Sequence, residues 1–236
     1  MDDLALTTAV GSLNRAAQDP ATFCWPFLKM FPVSGAAVST VGPLLGSETI
    51  SASDALAVRV DELQFDLGEG PCWDAMNFSR PILEPDLRNP QSTTWSAFLP
   101  AILEEKVTAL FAFPLSVGSL RIGAVDLYSI PPVTLSSTQS KQASAMADVV
   151  SKHVLRRALQ LVGGEYEDLG NAFSRRLIHQ ATGMVLAQLS VSAEDARLII
   201  QGHAFAQGRS MMEVAQEIVD RQLGFSRGES GIEVSK

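Results

Sequence analysis

The residues with the most distinctive chemistry lie in the last third of the chain. Arginine is well suited to phosphates and base edges, because its planar guanidinium donates hydrogen bonds in pairs. An imidazole or a carboxamide can stack on an unpaired base or hydrogen-bond to it. The candidate set is Arg175, Arg176, His179, Gln180, Arg197, Arg209 and Ser210. These types favour a phosphate-bearing partner such as a nucleic acid, and a solvated helix surface is the alternative for each residue.

A second candidate is Cys72, which follows a Gly-Glu-Gly-Pro turn. A cysteine at the start of a helix can have a lowered thiol pKa, which would indicate a nucleophile or a redox site. Catalysis would also need a base, and His153, His179 and His203 all fall outside this part of the sequence. The favoured interpretation is a small buried residue, so we expect no catalytic residue and no enzyme.

Two capping signals divide the last third into helices. Ser192 and Ser210 are each followed three residues later by an acidic residue. The hydroxyl accepts from the backbone N–H three residues ahead while the carboxylate reaches back, so each pair predicts a helix start. Gly208 supplies the stop of the helix before Ser210. The pattern predicts three consecutive helices, and Arg209 lies at a helix N-terminus that favours phosphate.

The order of residues in these helices resembles the ANTAR domain, a three-helix RNA-binding module of bacterial transcription antitermination regulators. The resemblance covers roughly residues 169–225. It rests on the run IHQATG at residues 178–183 and on Ala196, Ala204, Val214 and Ala215 at the family's spacing. The family's targets are typically tandem RNA stem-loops, one for each ANTAR domain of a dimer. The resemblance therefore implies that the candidate residues contact RNA.

Three positions depart from the family's usual residues. Thr182 stands where lysine is common, Phe205 stands where an arginine often follows an alanine, and His179 replaces a common acidic residue. Two basic positions are therefore missing. A helical module with weakened or lost RNA binding is the alternative.

The stretch AVRVDELQFDLGEGPCWDAM at residues 57–76 resembles the GAF domain found upstream of ANTAR in actinobacterial proteins, where a Gly-Glu-Gly-Pro-Cys turn recurs. The two resemblances together are more specific than either alone. The chain is interpreted as a GAF-ANTAR transcription antitermination regulator of the actinobacterial type. A GAF domain implies a small-molecule pocket between a sheet and helices, here with Cys72 nearby and with an unknown ligand.

Periodicity and turn signals predict an α+β domain over residues 1–135. Glycine and serine at 118 and 119 separate two apolar runs, a pattern typical of a β-hairpin. Strands are expected near residues 36–42, 48–53, 82–87, 109–117 and 120–130, and helices near 2–17, 21–31, 54–67 and 95–106. Strands mixed with flanking helices indicate a sheet covered by helices. The GAF resemblance implies that this sheet is antiparallel.

A long helix is predicted to connect the two domains over residues 136–168. Its apolar stripe runs through Met146, Val150 and Val154. A stripe exposed between domains needs a partner, which predicts a coiled coil and a homodimer, whereas packing on the chain's own sheet is the alternative. The RNA-binding module then occupies residues 169–225. Residues 226–236 are expected to form a disordered polar tail.

The formal net charge of −8 argues against a protein that coats nucleic acid through bulk electrostatics. Residues 171–225 contain five arginines and five acidic residues, so this segment is formally neutral. A neutral module can still bind a structured RNA if its arginines share one face. Its affinity should then be modest and sensitive to salt.

No apolar run approaches the roughly 20 residues of a membrane span, and the acidic N-terminus lacks the basic residues of a signal peptide. We expect a soluble cytoplasmic protein. Cys24 and Cys72 are too few for a disulfide framework or a four-cysteine zinc site. We therefore expect no metal site and no cofactor.

The leading hypothesis is a regulator whose GAF domain senses a signal or dimerises and whose ANTAR domain binds RNA stem-loops. The alternative is a ligand-sensing or protein-interaction scaffold that has lost RNA binding. A contiguous face of Arg175, Arg176, Arg197 and Arg209 would favour RNA. Scattered arginines would favour the scaffold.

Overall fold

The computed structural model describes residues 2–41, 45–90, 95–162, 175–228 and 231–235. The chain divides into two compact units, unit 1 (Met1–Phe173) and unit 2 (Ser174–Lys236). Residues 163–174 lie outside the described residues, and with them the expected end of the connecting helix and the expected start of the C-terminal module.

Unit 1 is built on a five-stranded antiparallel sheet. Its strands are β1 (Gly35–Thr40), β2 (Glu48–Ala52), β3 (Ile82–Glu84), β4 (Ala109–Val117) and β5 (Leu120–Ser129), in the order β2-β1-β5-β4-β3. The predicted hairpin joins β4 to β5, and Gly118 adopts a φ of +61° in its turn. Most side chains of β4 and β5 are buried on both faces. Helices must therefore cover both faces of the sheet.

One face is covered by α1 (Asp2–Ala16), α2 (Cys24–Met30) and the long α6 (Ser137–Val162). The core of this layer includes Phe27, Phe111 and Met146, all nearly or fully buried. The opposite face is covered by α3 (Ala55–Leu67), α4 (Pro71–Phe78) and α5 (Phe98–Glu104). The predicted α+β class, a sheet with flanking helices, is confirmed.

Local chemistry explains where these helices begin. Asp54 accepts the N–H of Ala57 at 2.9 Å, which caps α3 as expected. Pro71 begins α4, where its missing N–H breaks no helical hydrogen bond. The N–H of Ser136 donates to Gln139 Oε1 at 2.9 Å, and Ser136 Oγ accepts the N–H of Gln139, which fixes the start of α6.

Two predicted elements are shorter in the structure. The expected strand 82–87 ends at Glu84, and the expected helix 95–106 begins only at Phe98. Glu69 Oε1 accepts the N–H groups of Ala97 and Phe98, the latter at 2.7 Å, so a distant side chain sets this helix start. Pro100 lies in the first turn of α5 and does not interrupt it.

The apolar stripe of α6 is buried inside unit 1. Met146, Val150 and Val154 belong to the same core as Phe113 of β4. Ser151 Oγ also accepts the N–H of Ser116 of β4 at 3.0 Å. The stripe is not available to a second chain, so the inference of a coiled coil from its exposure was wrong. The sheet supplies the apolar surface that the stripe needs.

Unit 2 contains the three predicted helices, α7 (Arg176–Leu189), α8 (Ala193–Gln207) and α9 (Met211–Val219). Ser192 caps α8 and Ser210 caps α9 with a complete capping box. Gly208 ends α8 with a φ of +64°. Side chains from all three helices form the buried interior of this unit, and they include Ile178, Val185, Ile200, Val214 and Ile218.

A C-terminal hairpin replaces the expected disordered tail. Strands β6 (Gly224–Gly228) and β7 (Gly231–Ser235) pair antiparallel. Phe225 is buried, its N–H donates to Gln188 Oε1 at 3.0 Å, and Arg227 Nε donates to the carbonyl of Leu189 at 3.1 Å. The prediction of disorder was wrong because these contacts with α7 are tertiary and leave no local composition signal.

The packing of α6 makes a quantitative prediction. Met146→Ala should lower the free energy of unfolding of unit 1 by about 2–5 kcal/mol, because it opens a cavity in the core. Leu159→Ala, at a side chain that is 65% exposed on the same helix, should change it by less than about 0.5 kcal/mol. Urea denaturation followed by tryptophan fluorescence measures this, since Trp25, Trp73 and Trp95 all lie in unit 1. Equal effects of the two changes would contradict the packing.

Candidate nucleic-acid interface and buried polar site

The first candidate site is the exposed side of α7. Arg176, His179 and Gln180 are exposed, while Ile178 and Ala181 on the other side are buried. Residues three and four apart lie on the same face of a helix, so the three polar side chains share one surface. The structure brings together these three members of the predicted set.

Arg175 lies elsewhere. Only 2% of its surface is exposed, and it occupies the N-terminal boundary of α7. Its backbone carbonyl accepts the N–H of Ile178 at 2.9 Å. A buried guanidinium cannot reach a phosphate on a nucleic acid, so Arg175 is removed from the candidate surface.

Arg209 and Ser210 are engaged within unit 2. The guanidinium of Arg209 donates to both carboxylate oxygens of Glu217, at 3.0 and 2.8 Å. Ser210 Oγ accepts the N–H of Glu213 at 3.2 Å and contacts its carboxylate at 3.1 Å. The Arg209–Glu217 pair is about one third exposed, so it contributes little to stability. A phosphate at Arg209 would first have to displace the carboxylate of Glu217.

Arg197 lies near the start of α8 and is partly buried. Its Nη1 donates to Gln201 Oε1 at a long distance of 3.4 Å. Arg175 is buried, and Arg209 is paired with Glu217. Arg175, Arg176, Arg197 and Arg209 therefore do not form one contiguous face.

The surface of α8 also carries apolar side chains. Phe205 is 64% exposed and Leu198 is 49% exposed. An exposed aromatic ring can stack on a base or pack against a partner protein. By contrast, the ring of His203 meets the ring of Phe225 edge to face at 5.6 Å and is partly buried.

The second site is a buried polar network in unit 1, on the sheet face covered by α3 and α4. Gln64 Nε2 donates to Asp126 Oδ2 of β5 at 2.6 Å. Gln64 Oε1 accepts the backbone N–H of Cys72 at 2.8 Å, and the indole of Trp73 donates to the carbonyl of Gln64 at 2.7 Å. Because the N–H of Cys72 can only donate, the amide of Gln64 has one orientation. The network ties α3, α4 and β5 together.

Asp126 is the most perturbed acid of this network. Burial, and then the nearby Asp61 carboxylate, raise the pKa of Asp126 to about 8, although the hydrogen bond from Gln64 lowers it. Asp61 itself accepts a hydrogen bond from Thr49 Oγ1. At neutral pH the folded chain therefore holds a proton on Asp126 that an exposed aspartate would have lost.

Both cysteines are buried thiols outside any disulfide bond. Burial raises the pKa of Cys24 to about 12, which makes its thiol a poor nucleophile. Cys72 is only 2% exposed and lies in the first turn of α4. His153 lies in α6 on the other side of the sheet, where it contacts Asn14 and Phe23. This geometry fits the interpretation of Cys72 as a small packed residue.

Sequence reasoning missed the polar network itself. A signal was present, because Asp126 interrupts the apolar run of β5 and an unpaired charge is costly in a buried strand. Asp61 and Gln64 lie three residues apart on α3 and so share a face. Gln64 and its partner Asp126 are 62 residues apart in the sequence, so only the folded chain shows the network.

The ANTAR domain family matches residues 172–219 of the chain. This segment contains α7, α8 and α9, and it lies within the range expected from the sequence. No curated protein matches the chain.

Solved structures match unit 1. A GAF domain of a phosphoenolpyruvate-protein phosphotransferase from Coxiella burnetii is 11% identical, with a TM-score of 0.54, over 70% of this chain and 97% of that one. A GAF domain of nlh2 from A. aeolicus in an inactive state is 12% identical, with a TM-score of 0.47, over 66% of this chain and 99% of that one. The first match shows the fold. The chain therefore has a GAF-ANTAR architecture: a GAF-like fold is followed by a segment that matches the ANTAR domain family.

None of the helices in the described parts of the chain is both long and apolar enough to cross a membrane. Among the same residues, no group of three or more His, Cys, Asp and Glu side chains is placed to hold a metal ion.

The raised pKa of Asp126 predicts how stability depends on pH. The pKa is about 8 in the folded chain against an ordinary 3.8, so folding takes up a proton between these values. The associated stability is complete below the ordinary pKa and is lost as the pH rises through about 8. Asp126→Asn should remove this loss, so its free energy of unfolding relative to the native chain should rise by more than about 1 kcal/mol from pH 5 to pH 9.

Urea denaturation at a series of pH values, followed by tryptophan fluorescence, measures this difference. Asp148→Asn, at an exposed position of α6, is the matched control and should leave the pH dependence unchanged. A parallel pH dependence of Asp126→Asn and the native chain would show that Asp126 titrates normally.

Proposed function

We propose that this chain is a non-enzymatic RNA-binding regulator that prevents transcription termination. The observation that carries the proposal is the ANTAR match over residues 172–219. Such a regulator acts on nascent RNA in the cytoplasm. Unit 1 supplies the GAF fold, for which we propose a sensor role.

The proposed RNA contact is the exposed side of α7. Arg176 provides a cation for phosphate or for a base edge, while His179 and Gln180 provide a ring and an amide for an unpaired loop base. The formal charge of this module is close to zero, so few counterions are released and affinity is modest. On α8, the partly buried Arg197 and the exposed ring of Phe205 offer further contacts outside this surface.

We also propose that the chain acts as a homodimer on tandem stem-loops, one for each ANTAR domain. The stripe of α6 does not provide the dimer contact. A groove of about 850 Å³ between α1, α2 and the start of α6 remains on the surface of unit 1, with the exposed side chain of Leu4 at its edge. This groove supports a contact between two copies of unit 1.

A protein-interaction scaffold is the second candidate function. It is favoured by one specific observation, the pairing of Arg209 with Glu217, because this pair withdraws a basic side chain from RNA. The exposed Phe205 is compatible with a protein partner as well as with a base.

A gel-shift titration tests RNA binding. We expect an RNA with two adjacent hairpins to bind more tightly than one with a single hairpin, because two linked sites engage a dimer together. Arg176→Ala should weaken binding and reduce the slope of log affinity against log salt by about 1. Lys152→Ala removes the same charge from an exposed position of α6 and should leave the affinity and the salt slope unchanged. No binding to either RNA at low salt would favour the scaffold.

Glu217 provides a separate prediction. Glu217→Gln should release Arg209 and strengthen RNA binding severalfold, with a steeper salt dependence. Glu194→Gln, which removes the same charge from an exposed position of α8, is the control and should have a smaller effect. Equal effects of the two variants would mean that only net charge matters and that Arg209 does not contact RNA.

A further inference from the structure

Two buried oxygen atoms in unit 1 have no hydrogen-bond partner among the described residues. They are Asp126 Oδ1 and Ser39 Oγ. The exposed fractions are 2% for Asp126 and 1% for Ser39. A buried polar atom without a partner is unfavourable by about 1–3 kcal/mol, and native proteins contain few of them. Two such atoms close together indicate a group that the chain itself does not supply.

The strand register places Ser39 and Asp126 close together. In the β1–β5 pair, Ser39 lies opposite Ala124 and Ala37 lies opposite Asp126. Ser39 and Asp126 are therefore diagonal neighbours on the same face of the sheet, with Cα atoms roughly 7 Å apart. A small group between the two side chains can form hydrogen bonds with both oxygens.

Small side chains surround this position. Ala37 and Ala112 lie opposite Asp126 on the two neighbouring strands, and Ala124 precedes it on the same face. Ala57 and Ala75, on the covering helices α3 and α4, belong to the core on that same face. All five of these side chains are therefore methyl groups.

The available atoms define the chemistry of the group. Gln64 already donates to Asp126 Oδ2, so Oδ1 is the oxygen left to accept from a ligand. A bound cation favours the ionised form of this carboxyl, which the chain without a ligand holds protonated at neutral pH. Ser39 Oγ adds a second acceptor, and the Asp61 carboxylate is close enough to repel a charge on Asp126. A positive group with several N–H donors satisfies these oxygens and offsets the repulsion, and a primary ammonium has three donors and no acceptor. A metal ion is disfavoured, since the described residues provide no third acidic, histidine or cysteine ligand.

We infer that unit 1 binds a small primary ammonium compound between Ser39 and Asp126, beneath α3 and α4. This inference rests on the sensor role proposed for the GAF fold and names the class of ligand. The indole of Trp73 donates to the carbonyl of Gln64, whose side chain holds Asp126. Occupation of the site therefore changes the surroundings of a tryptophan.

Titration of the full chain with methylammonium chloride, followed by tryptophan fluorescence, tests the inference. We expect a saturable change that equal concentrations of potassium chloride and methanol do not produce. Asp126→Asn should weaken binding about tenfold, because it removes the ionic acceptor. Ser39→Ala should weaken it severalfold. Because Ser39 Oγ has no hydrogen-bond partner among the described residues, this variant reports on binding even if Asp126→Asn misfolds. Asp148→Asn, at an exposed position of α6, should bind methylammonium like the native chain.

Absence of a saturable response at tens of millimolar methylammonium would overturn the inference, as would equal affinity of the native chain and both site variants. A gel shift on the same preparation separates the two proposals. RNA binding without methylammonium binding overturns the ligand class alone. Methylammonium binding without RNA binding supports the ligand class and contradicts RNA regulation.

Discussion

The side chain of Gln64 joins three parts of unit 1 that are remote in the sequence. Its amide nitrogen donates to Asp126 of the central strand, and its amide oxygen accepts from the first turn of α4. Gly70 makes this possible, because its φ is +128° and an added Cβ would lie 2.8 Å from Gln64. The Gly-Glu-Gly-Pro-Cys turn thus positions α4 against the sheet. Its cysteine is buried in the first turn of α4, and its glutamate caps α5.

Local chemistry made much of the fold predictable. The caps at Asp54, Ser192 and Ser210 depend on residues three positions apart, so the sequence contains both partners. The β4–β5 hairpin depends on two apolar runs and a short turn. The location of α6 was not predictable in the same way. An apolar stripe indicates that a helix packs against an apolar surface, but it does not identify that surface.

The candidate site shows the same limit. The run IHQATG and the spacing of Ala196, Ala204, Val214 and Ala215 identified the module, and the ANTAR match over residues 172–219 confirms it. The choice of arginines within the module was less successful. Residue types and spacing did not reveal that Arg175 is buried or that Glu217 pairs with Arg209, eight residues away and on the next helix. The C-terminal hairpin escaped prediction because its two strands are short and because Phe225 and Arg227 anchor it on α7, 37 and 38 residues away from their partners. The burial of Arg175, the pairing of Arg209 and the docking of the hairpin all depend on tertiary contacts. A local sequence pattern contains only one of the two residues in each contact.

The two units carry different chemistry. Unit 1 contains buried acidic side chains between its sheet and helices, whereas unit 2 has a nearly neutral surface with polar side chains on α7 and an aromatic ring on α8.

Sequencing the RNA that copurifies with the full chain tests the central claim most directly. Binding through the ANTAR domain predicts enrichment of transcripts with two adjacent stem-loops, and a loss of that enrichment in Arg176→Ala. Recovery of the same RNA as with an unrelated acidic protein would contradict RNA regulation.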